Sequence, residues 1–396
     1  MLISRPSNED DLRELESFTL RKNVFLSRVL QHERIEIVKK TLSALCKNKS
    51  DKLHNLWRAL EFSLRDSVLQ KIKSRNNTDR YGVGLVVQYA PSITPVSSLQ
   101  FALHAILHGN QIITKISERS VDFIDSLRQA TIDDTFVRAT LPEYCRFIIY
   151  DQRKVEITNL IQENCDLRVI WGSDKSIEEI RKTRLNAAGG DITFPDRTSI
   201  LIVNADYVRS LEQNLLHKAI ASIARDIYEY EHGACSSPYR ILWLNSAGTN
   251  HHFLEFLKIL NLKVNAKFDG TWSFAVERQV NHAKSRIENP RNMRSISGMV
   301  NFHILDDNDV SCATIGRGNI ECIEISKLED VSMYTPKNIQ TCSYLGFSAN
   351  HLRDIFMRGS NHKPTRIVPV GCTMVMEDSW DRYSFEEILS VKFEDY

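Results

Sequence analysis

Short apolar, β-rich runs alternate with helical stretches over the middle of the chain, and this alternation limits the possible folds more than any other feature. A strand, a helix and a second strand within about 30 residues form a βαβ unit, whose strands are parallel and whose crossover is right-handed. The predicted strands cover residues 84–89, 111–115, 146–150, 167–171, 199–203 and 240–244. Their spacing predicts an α/β fold with an open, doubly wound sheet, in which ligands bind beyond the carboxyl ends of the strands.

The regions that flank this alternation differ from it. Residues 9–75 contain no glycine and place apolar side chains mostly three and four positions apart, which predicts two or three amphipathic helices in a helical N-terminal region, 1–80. We expect a first α/β domain over 81–227 and a second over 228–370, where short strands are separated by glycine breaks. Residues 371–396 would form a C-terminal tail that packs back on the core.

The length and charge of the chain exclude several classes of protein. Its 396 residues leave room for two or three domains, and 42% hydrophobic with 26% charged residues is the balance of a soluble globular protein. Lysine and arginine number 51 against 50 aspartate and glutamate, so the net charge of +1 gives no support to nucleic-acid binding. No apolar run reaches the roughly 18 residues of a membrane span. The N-terminus is acidic and helical where a signal peptide would be apolar, so we expect a cytoplasmic protein without a membrane span.

The eight cysteines are scattered, without a C-x-x-C pair or a close group of cysteine and histidine. This spacing argues against a structural zinc site and against a disulfide framework, so no metal site is predicted. Most of these thiols are expected to be small buried hydrophobic groups. The question is which of them carries chemistry.

Two glycine-containing turns are candidates for phosphate binding. Gly82-Val-Gly84 lacks the third glycine and opens no helix, so it fails as a dinucleotide-binding fingerprint. Gly172 and Ser173 follow an apolar strand and open a helix, where backbone N–H groups and the positive helix end favour a phosphate. The alternative is an ordinary strand-to-helix turn, with Ser173 or Asp174 as the N-cap.

Cys235 is the cysteine with the most suggestive surroundings. It lies between a long helix and a strand, among the small residues Gly233, Ser236 and Ser237, which leave room for a substrate to approach a thiolate. A buried loop cysteine without a chemical role is the alternative. His232 is close in sequence, but the histidine partner of a catalytic cysteine is usually distant in sequence, so a hydrolytic Cys-His enzyme has no support.

Several segments between about residues 81 and 382 resemble, in order and spacing, the aldehyde dehydrogenase superfamily. They are Ala-Pro-Ser-Ile-Thr-Pro at 90–95, Asn-Gln-Ile-Ile-Thr-Lys-Ile-Ser-Glu at 110–118, Ile-Trp-Gly-Ser at 170–173, Ala-Cys-Ser-Ser-Pro at 234–238, Ile-Gln-Thr at 339–341, and Arg-Ile-Val-Pro-Val-Gly at 366–371 with Trp380 and Asp381 after it. Within the superfamily the chain resembles the acyl-CoA reductase branch, the LuxC-type fatty acid reductases. The resemblance implies a Rossmann-like nicotinamide-cofactor domain, 81–227, and a catalytic domain with a nucleophilic cysteine, 228–370.

The resemblance also implies which residues bind the cofactor, NADPH or NADH. Lys115 matches the lysine that contacts the adenosine ribose, with Ser117 and Glu118 beside it. Gly172 and Ser173 match the glycine and serine at the helix that faces the pyrophosphate. Glu118 would favour a free ribose 2′-OH by repelling a 2′-phosphate, whereas the arginine after it acts the other way, so both cofactors remain open.

Cys235 matches the family's nucleophile, but the expected oxyanion donor is missing. Aldehyde-oxidising members have an asparagine that donates to the oxyanion, and Ile93 stands at the matching position. The backbone N–H of Cys235 remains as a donor, and a hydroxyl at Ser92 or Thr94 is the candidate second donor.

The expected base is missing as well. Aldehyde-oxidising members have a glutamate that activates water, and Ile192, or its neighbour Asp191, stands in its place. The loss of this base suits an enzyme that must not hydrolyse its acyl-enzyme. A local shift that lets Asp191 or Glu231 serve instead is the alternative.

The resemblance therefore implies NAD(P)H-dependent reduction of a fatty acyl thioester, either acyl-CoA or acyl-protein, to an aldehyde through an acyl-cysteine. Two alternatives stay open: oxidation of a free aldehyde by the same residues, and a catalytically silent family member that acts as a scaffold in an acyl-transfer complex. We expect a homo-oligomer, with an acyl-protein synthetase or an acyltransferase as the candidate partner.

Overall fold

The chain divides into two compact units in a computed structural model, residues 1–195 with 376–396, and residues 196–375. The structure describes residues 2–20, 29–47, 49, 53–75, 80–91, 93–151, 153–245, 251–268, 270–288, 294–305, 316–359 and 361–393. The boundary expected between residues 227 and 228 falls inside the second unit, and the N-terminal helical region belongs to the first.

The first unit is built on a parallel six-stranded sheet. Its elements up to residue 195 are β1 (Ile3–Ser4), α1 (Glu9–Leu20), α2 (Gln31–Lys47), α3 (His54–Ser63), α4 (Asp66–Arg75), β2 (Arg80–Gly82), β3 (Leu85–Tyr89), α5 (Pro95–Leu107), β4 (Gln111–Lys115), α6 (Val121–Asp133), α7 (Thr135–Tyr144), β5 (Cys145–Ile148), α8 (Val155–Glu163), β6 (Leu167–Trp171), α9 (Asp174–Arg181) and β7 (Gly190–Phe194). The strand order is β1-β5-β4-β3-β6-β7. The chain adds β4 and β5 on one side of β3 and then β6 and β7 on the other, so the order reverses between β3 and β6.

The strands of this sheet are apolar because helices cover both faces. Leu85, Val87 and Tyr89 of β3 enter a buried cluster with side chains of α1, α8 and α9. Val86 and Gln88, which alternate with them, are equally buried on the other face. The doubly wound α/β fold expected from the sequence is therefore confirmed.

The second unit contains a seven-stranded sheet. Its elements are β8 (Thr198–Asn204), α10 (Ala205–Ser210), α11 (Gln213–Tyr228), β9 (Pro238–Leu244), α12 (His251–Asn265), α13 (Trp272–Glu288), β10 (Arg294–Ile296), β11 (Asn301–Leu305), β12 (Asn319–Ile325), β13 (Ile339–Leu345), α14 (Ala349–Gly359) and β14 (Arg366–Pro369). The order is β10-β11-β12-β9-β8-β13-β14, and every pairing is parallel except that of β10 with β11.

This sheet also separates two layers of side chains. Leu201 and Val203 of β8 pack with α11 and α12 on one face, and Ile200 and Ile202 pack with α14 on the other. The long helix expected before Cys235 is preceded by a separate short helix, because Leu211 and Glu212 are extended between α10 and α11.

The chain returns to the first unit with β15 (Ser379–Trp380), β16 (Tyr383–Ser384), α15 (Phe385–Leu389) and β17 (Ser390–Lys392). β17 pairs antiparallel with β2, and Asn110 donates to the carbonyl oxygen of Leu389 at 2.8 Å. Among the helices that the structure describes, none is long and apolar enough to cross a membrane.

Candidate active site

The expected cofactor residues lie along the carboxyl edge of the first unit's sheet. Lys115 is the last residue of β4, and it lies beside Tyr89 at the end of β3. Gly172 and Ser173 follow the end of β6, on the other side of β3. These residues therefore flank the point where the strand order reverses, which is where doubly wound sheets bind dinucleotides.

Lys115 presents a half-buried ammonium at this edge. Burial lowers the pKa of Lys115, while the charges of Asp151 and Glu118 act the other way. Its Nζ lies 5.9 Å from the ring centroid of Tyr150. A cation that is partly removed from water interacts more strongly with an anionic or hydroxyl-bearing ligand than an exposed one does.

Ser117 and Glu118 follow in the loop after β4. The Ser117 hydroxyl accepts a hydrogen bond from the Arg119 backbone N–H at 3.3 Å. The exposed Glu118 carboxylate lies 3.4 Å from the guanidinium of Arg5. This contact with the N-terminal segment was not expected from the sequence.

The turn at Gly172 and Ser173 has the helix cap that the sequence allowed, and phosphate binding there stays a prediction. Ser173 is the N-cap of α9, and its hydroxyl accepts from the Ser176 backbone N–H at 3.3 Å. Gly172 donates to the carbonyl oxygen of Phe194 at 3.3 Å. A Cβ on Gly172 would lie 3.3 Å from that of Ser176, so a side chain here would crowd the helix start.

These residues fit a nicotinamide dinucleotide. Lys115 would hold the ribose, and the start of α9 would face the pyrophosphate, as the dipole of a helix favours. Among the described residues, no group of three or more histidine, cysteine or acidic side chains could hold a metal ion.

Cys235 lies in the loop between α11 and β9, at the amino ends of the parallel strands of the second unit. Its carbonyl oxygen accepts from the Ser199 hydroxyl at 2.7 Å, and that hydroxyl accepts from the Thr341 backbone N–H at 3.1 Å. These bonds tie the loop to β8 and β13. The Ser236 hydroxyl adds a contact with the sulfur of Met374 at 3.2 Å. The half-buried Cys235 is therefore carried by a fixed loop.

Burial separates Cys235 from four of the other six described cysteines. Cys145, Cys165, Cys322 and Cys342 are buried, and burial raises the pKa of each thiol. Cys46 and Cys372 are half-buried like Cys235, and burial raises the pKa of Cys46 to about 11 and that of Cys372 as well. Cys312 lies outside the described residues.

His232 is not the partner of a catalytic cysteine. The Gly318 backbone N–H donates to its Nδ1 at 3.0 Å, so its Nε2 carries the hydrogen and donates to the carbonyl oxygen of Pro238 at 3.1 Å. Both ring nitrogens are engaged by the backbone. Burial lowers the pKa of His232 to about 4, which keeps the ring neutral at neutral pH.

This burial predicts a pH dependence of stability. His232 titrates near 6.5 when unfolded and near 4 when folded, so its contribution is present above pH 6.5 and is lost as the pH falls through this window. The free energy of unfolding should drop by about 2 kcal/mol between pH 7 and pH 5 through this residue. His232→Gln, whose amide offers a donor and an acceptor but does not titrate, should lack this part of the drop in urea unfolding. An equal drop in both proteins would contradict the prediction.

At the expected base position one residue carries no ionisable group and the other is held in ion pairs. Ile192 and Asp191 lie in the extended edge strand β7, where successive side chains point to opposite faces. Asp191 binds Arg168 at 2.8 Å and Arg181 at 3.0 Å. Burial raises the pKa of Asp191, but these arginines outweigh it and the pKa ends below its usual value. Glu231 is likewise engaged, since it pairs with Arg317.

The oxyanion candidates remain predictions. Ile93 is 39% exposed and offers no donor from its side chain. Thr94 is half-buried at the start of α5 without capping the helix through its hydroxyl. Ser92 lies outside the described residues.

A cleft of about 930 Å³ opens at the opposite edge of the second unit's sheet. It lies at the carboxyl ends of β8 and β13, where Asn204, Tyr207, Tyr344 and His351 contribute to its walls. Since Cys235 lies at the amino ends of the same strands, this cleft is not the place where a substrate would meet the thiol.

Comparison with solved structures identifies the fold. Aldehyde dehydrogenase C from Pseudomonas syringae, a mutant solved with NAD+ and octanal, is 10% identical, with a TM-score of 0.64 over 96% of this chain and 89% of that one. Glyceraldehyde-3-phosphate dehydrogenase from Methanocaldococcus jannaschii, solved with NADP, is 14% identical, with a TM-score of 0.67 over 98% and 94%. An aldehyde dehydrogenase from Bacillus cereus in complex with NAD+ is 12% identical, with a TM-score of 0.70 over 97% and 89%. The chain thus has the aldehyde dehydrogenase fold.

Comparison of the sequence with protein families identifies the family within this fold. No curated protein matches the sequence. Residues 13–289, more than two thirds of the chain, match the family described as acyl-CoA reductase (LuxC). This match confirms the resemblance carried by the segments around Lys115, Gly172 and Cys235. The chain belongs to the acyl-CoA reductase (LuxC) family.

Proposed function

We propose that this protein reduces a fatty acyl thioester, acyl-CoA or acyl-protein, to an aldehyde with NADPH or NADH through an acyl group on Cys235. The observation that carries the proposal is a half-buried thiol in a fixed loop, with acidic candidates for a hydrolytic base already held in ion pairs. The family and the fold support the broader part, a nicotinamide-dependent oxidoreductase that acts at the aldehyde level.

The first half of the reaction uses this chain's own nucleophile. The Cys235 thiolate attacks the thioester carbonyl carbon, a new carbon–sulfur bond forms, and the bond to CoA or to the carrier thiol breaks. The leaving thiolate takes up a proton. A nicotinamide held at the cofactor site would supply the hydride that brings the acyl group to the aldehyde level. The carbon–sulfur bond to Cys235 then breaks, which releases the aldehyde and returns the Cys235 thiolate.

Reduction of the acyl group on Cys235 also depends on keeping water away from it. Asp191 is fixed by Arg168 and Arg181, and Glu231 is fixed by Arg317, so neither carboxylate is placed to remove a proton from water. An acyl-cysteine in this setting persists until it is reduced. Oxidation of a free aldehyde to an acid would require fast hydrolysis and is disfavoured on the same ground.

Product analysis tests this function. Incubation with a panel of saturated acyl-CoA thioesters and NADPH or NADH should give the matching aldehydes, detected by gas chromatography with mass spectrometry. Free fatty acid as the main product would favour the hydrolytic or oxidising alternative. If neither product forms and neither cofactor binds, the scaffold alternative takes its place.

The cofactor role of Lys115 gives a further prediction. Lys115→Ala should weaken binding of NADPH or NADH by about 1–2 kcal/mol, roughly 5- to 30-fold in Kd, because one charge-assisted hydrogen bond is lost. Acylation of Cys235 should be retained. Calorimetry measures the affinity, and Lys182→Ala is the matched control, because Lys182 is an exposed lysine of the same unit that pairs with Glu179. Equal affinity in wild type and Lys115→Ala would remove Lys115 from the cofactor site.

The partners follow from the same proposal. An acyl-protein synthetase or an acyltransferase would supply the activated acyl group, and we expect the protein to act as a homo-oligomer in the cytoplasm. Size-exclusion chromatography with light scattering tests the oligomeric state.

A further inference from the structure

A strained turn leads into the loop that carries Cys235. α11 ends at Tyr228, and the three consecutive residues Tyr230, Glu231 and His232 have φ of 51°, 52° and 56°. None of them is glycine, and residues with a Cβ rarely adopt this left-handed region. Such conformations persist where the surrounding structure holds them, and they concentrate at functional sites.

Arg317 contacts the middle residue of this turn at two points. Its Nε donates to the Glu231 carbonyl oxygen at 2.9 Å, and its Nη2 pairs with the Glu231 carboxylate. The Thr271 backbone N–H donates to the other carboxylate oxygen at 2.6 Å. The backbone and the side chain of Glu231 are therefore fixed together.

Arg317 is itself held in one orientation. Its side chain is 11% exposed, and its Nη1 pairs with Glu277 at 3.0 Å. The guanidinium lies 5.3 Å from the ring centroid of Phe274. Gly316 and Gly318 flank it with φ of 77° and 83°, which glycine adopts without steric cost. The Gly-Arg-Gly turn thus presents a rigid clamp to Glu231.

His232 connects the strained turn to both ends of the Cys235 loop, residues 233–237. Its ring lies between the Gly318 backbone N–H and the Pro238 carbonyl oxygen. The Tyr239 hydroxyl donates to the His232 carbonyl oxygen at 3.0 Å. The entry to the loop and its exit into β9 are therefore tied to one residue, whose backbone follows Glu231.

We propose that Arg317 is a positioning residue for the Cys235 thiol, because it holds Glu231 in the left-handed conformation and so fixes the entry of the loop 233–237. The inference rests on the proposed role of Cys235 as the nucleophile. Arg317 takes part in no bond-making step. A misplacement of a reacting group by about 1 Å can cost roughly 100-fold in rate, so its loss should affect acyl transfer more than substrate binding.

Two rates at Cys235 separate positioning from general damage to the fold. Acylation by acyl-CoA requires the thiolate to be aligned with a bound carbonyl, whereas alkylation by iodoacetamide requires only access to the thiolate. Both are followed by the mass of the Cys235 peptide. In Arg317→Met we expect the acylation rate to fall at least about tenfold, with the KM for acyl-CoA and the alkylation rate changed less than about threefold.

Three further variants sharpen the test. Arg317→Lys keeps the charge but loses the two-point contact, and should behave like Arg317→Met. Glu277→Gln removes the charge of an outer partner of Arg317 but keeps an oxygen that can accept from its Nη1, and leaves both contacts with Glu231, so it should retain acylation. Tyr230→Gly in the Arg317→Met background should restore part of the acylation rate, since glycine adopts the left-handed conformation without a Cβ clash.

The outcomes are distinct. A folded Arg317→Met protein that is acylated at the wild-type rate overturns the proposal, and so does an equal loss of acylation and alkylation. If Arg317→Met does not fold, the loss of acylation relative to alkylation is measured in Arg317→Lys and in the double variant Tyr230→Gly with Arg317→Met. Wild-type protein that is alkylated at Cys235 but never acylated there removes the proposed function, and this inference with it.

Discussion

Cys235→Ala should reduce acyl-enzyme formation and aldehyde production to background. The thiolate is the group that would take the acyl group from CoA, and a methyl side chain cannot do so. The substitution removes only one half-buried sulfur, so the free energy of unfolding should change by less than about 1 kcal/mol. Mass spectrometry of the protein after incubation with acyl-CoA, in the absence of cofactor, measures the acyl group directly.

Cys372→Ala is the matched control for this experiment. Cys372 is another half-buried thiol of the same unit, and burial raises its pKa. Removal of Cys372 should leave acylation and reduction at wild-type levels. An acyl group that still forms on Cys235→Ala would place the nucleophile at another residue, whereas retained cofactor binding would show that the first unit is intact.

The strands that carry the cofactor residues could be predicted well from the sequence. The expected runs 111–115 and 167–171 coincide with β4 and β6, because strands buried on both faces of a parallel sheet are continuous apolar segments. The positions of Lys115 and Ser173 follow from the ends of these strands. Sequence reasoning could not decide between a capped turn and a phosphate site, because Ser173 caps α9 in either case.

Other elements were missed for identifiable reasons. α7 contains Pro142, a residue that usually ends a helix, yet the helix forms because Asp134 caps it through two backbone N–H groups. The turn at 230–232 could not be predicted, because left-handed residues are usually glycine, asparagine or aspartate. Its clamp, Arg317, is 86 residues from Glu231 in sequence, beyond the range of any local pattern.

The sequence and the structure each describe one property of the Cys235 thiol. Small neighbours in the sequence indicated access, and the structure adds restraint from Ser199 on one side and His232 on the other. A nucleophile needs both properties, because an accessible but mobile thiol loses the advantage of alignment with the carbonyl. The same restraint occupies one nearby carboxylate, since Glu231 is used to build the turn.

The acyl-enzyme should be long-lived when no reduced cofactor is present. A positioned general base typically accelerates proton removal by roughly 10²- to 10⁴-fold, and Ile192 at the matching position supplies none. The acyl group on Cys235 should therefore remain on the protein far longer than one catalytic turnover, and addition of NADPH or NADH should release it as aldehyde. Time-resolved mass spectrometry of the acylated protein measures its lifetime before and after the cofactor is added.

Asp191→Asn tests whether the neighbouring carboxylate contributes to this lifetime. Because Asp191 is bound to Arg168 and Arg181 and its pKa lies below the usual value, its removal should leave the lifetime unchanged within about twofold. A markedly longer lifetime in Asp191→Asn would mean that Asp191 does act as a base in solution. Rapid loss of the acyl group from the wild type as free fatty acid, with no aldehyde after NADPH or NADH is added, would contradict the reductase function itself.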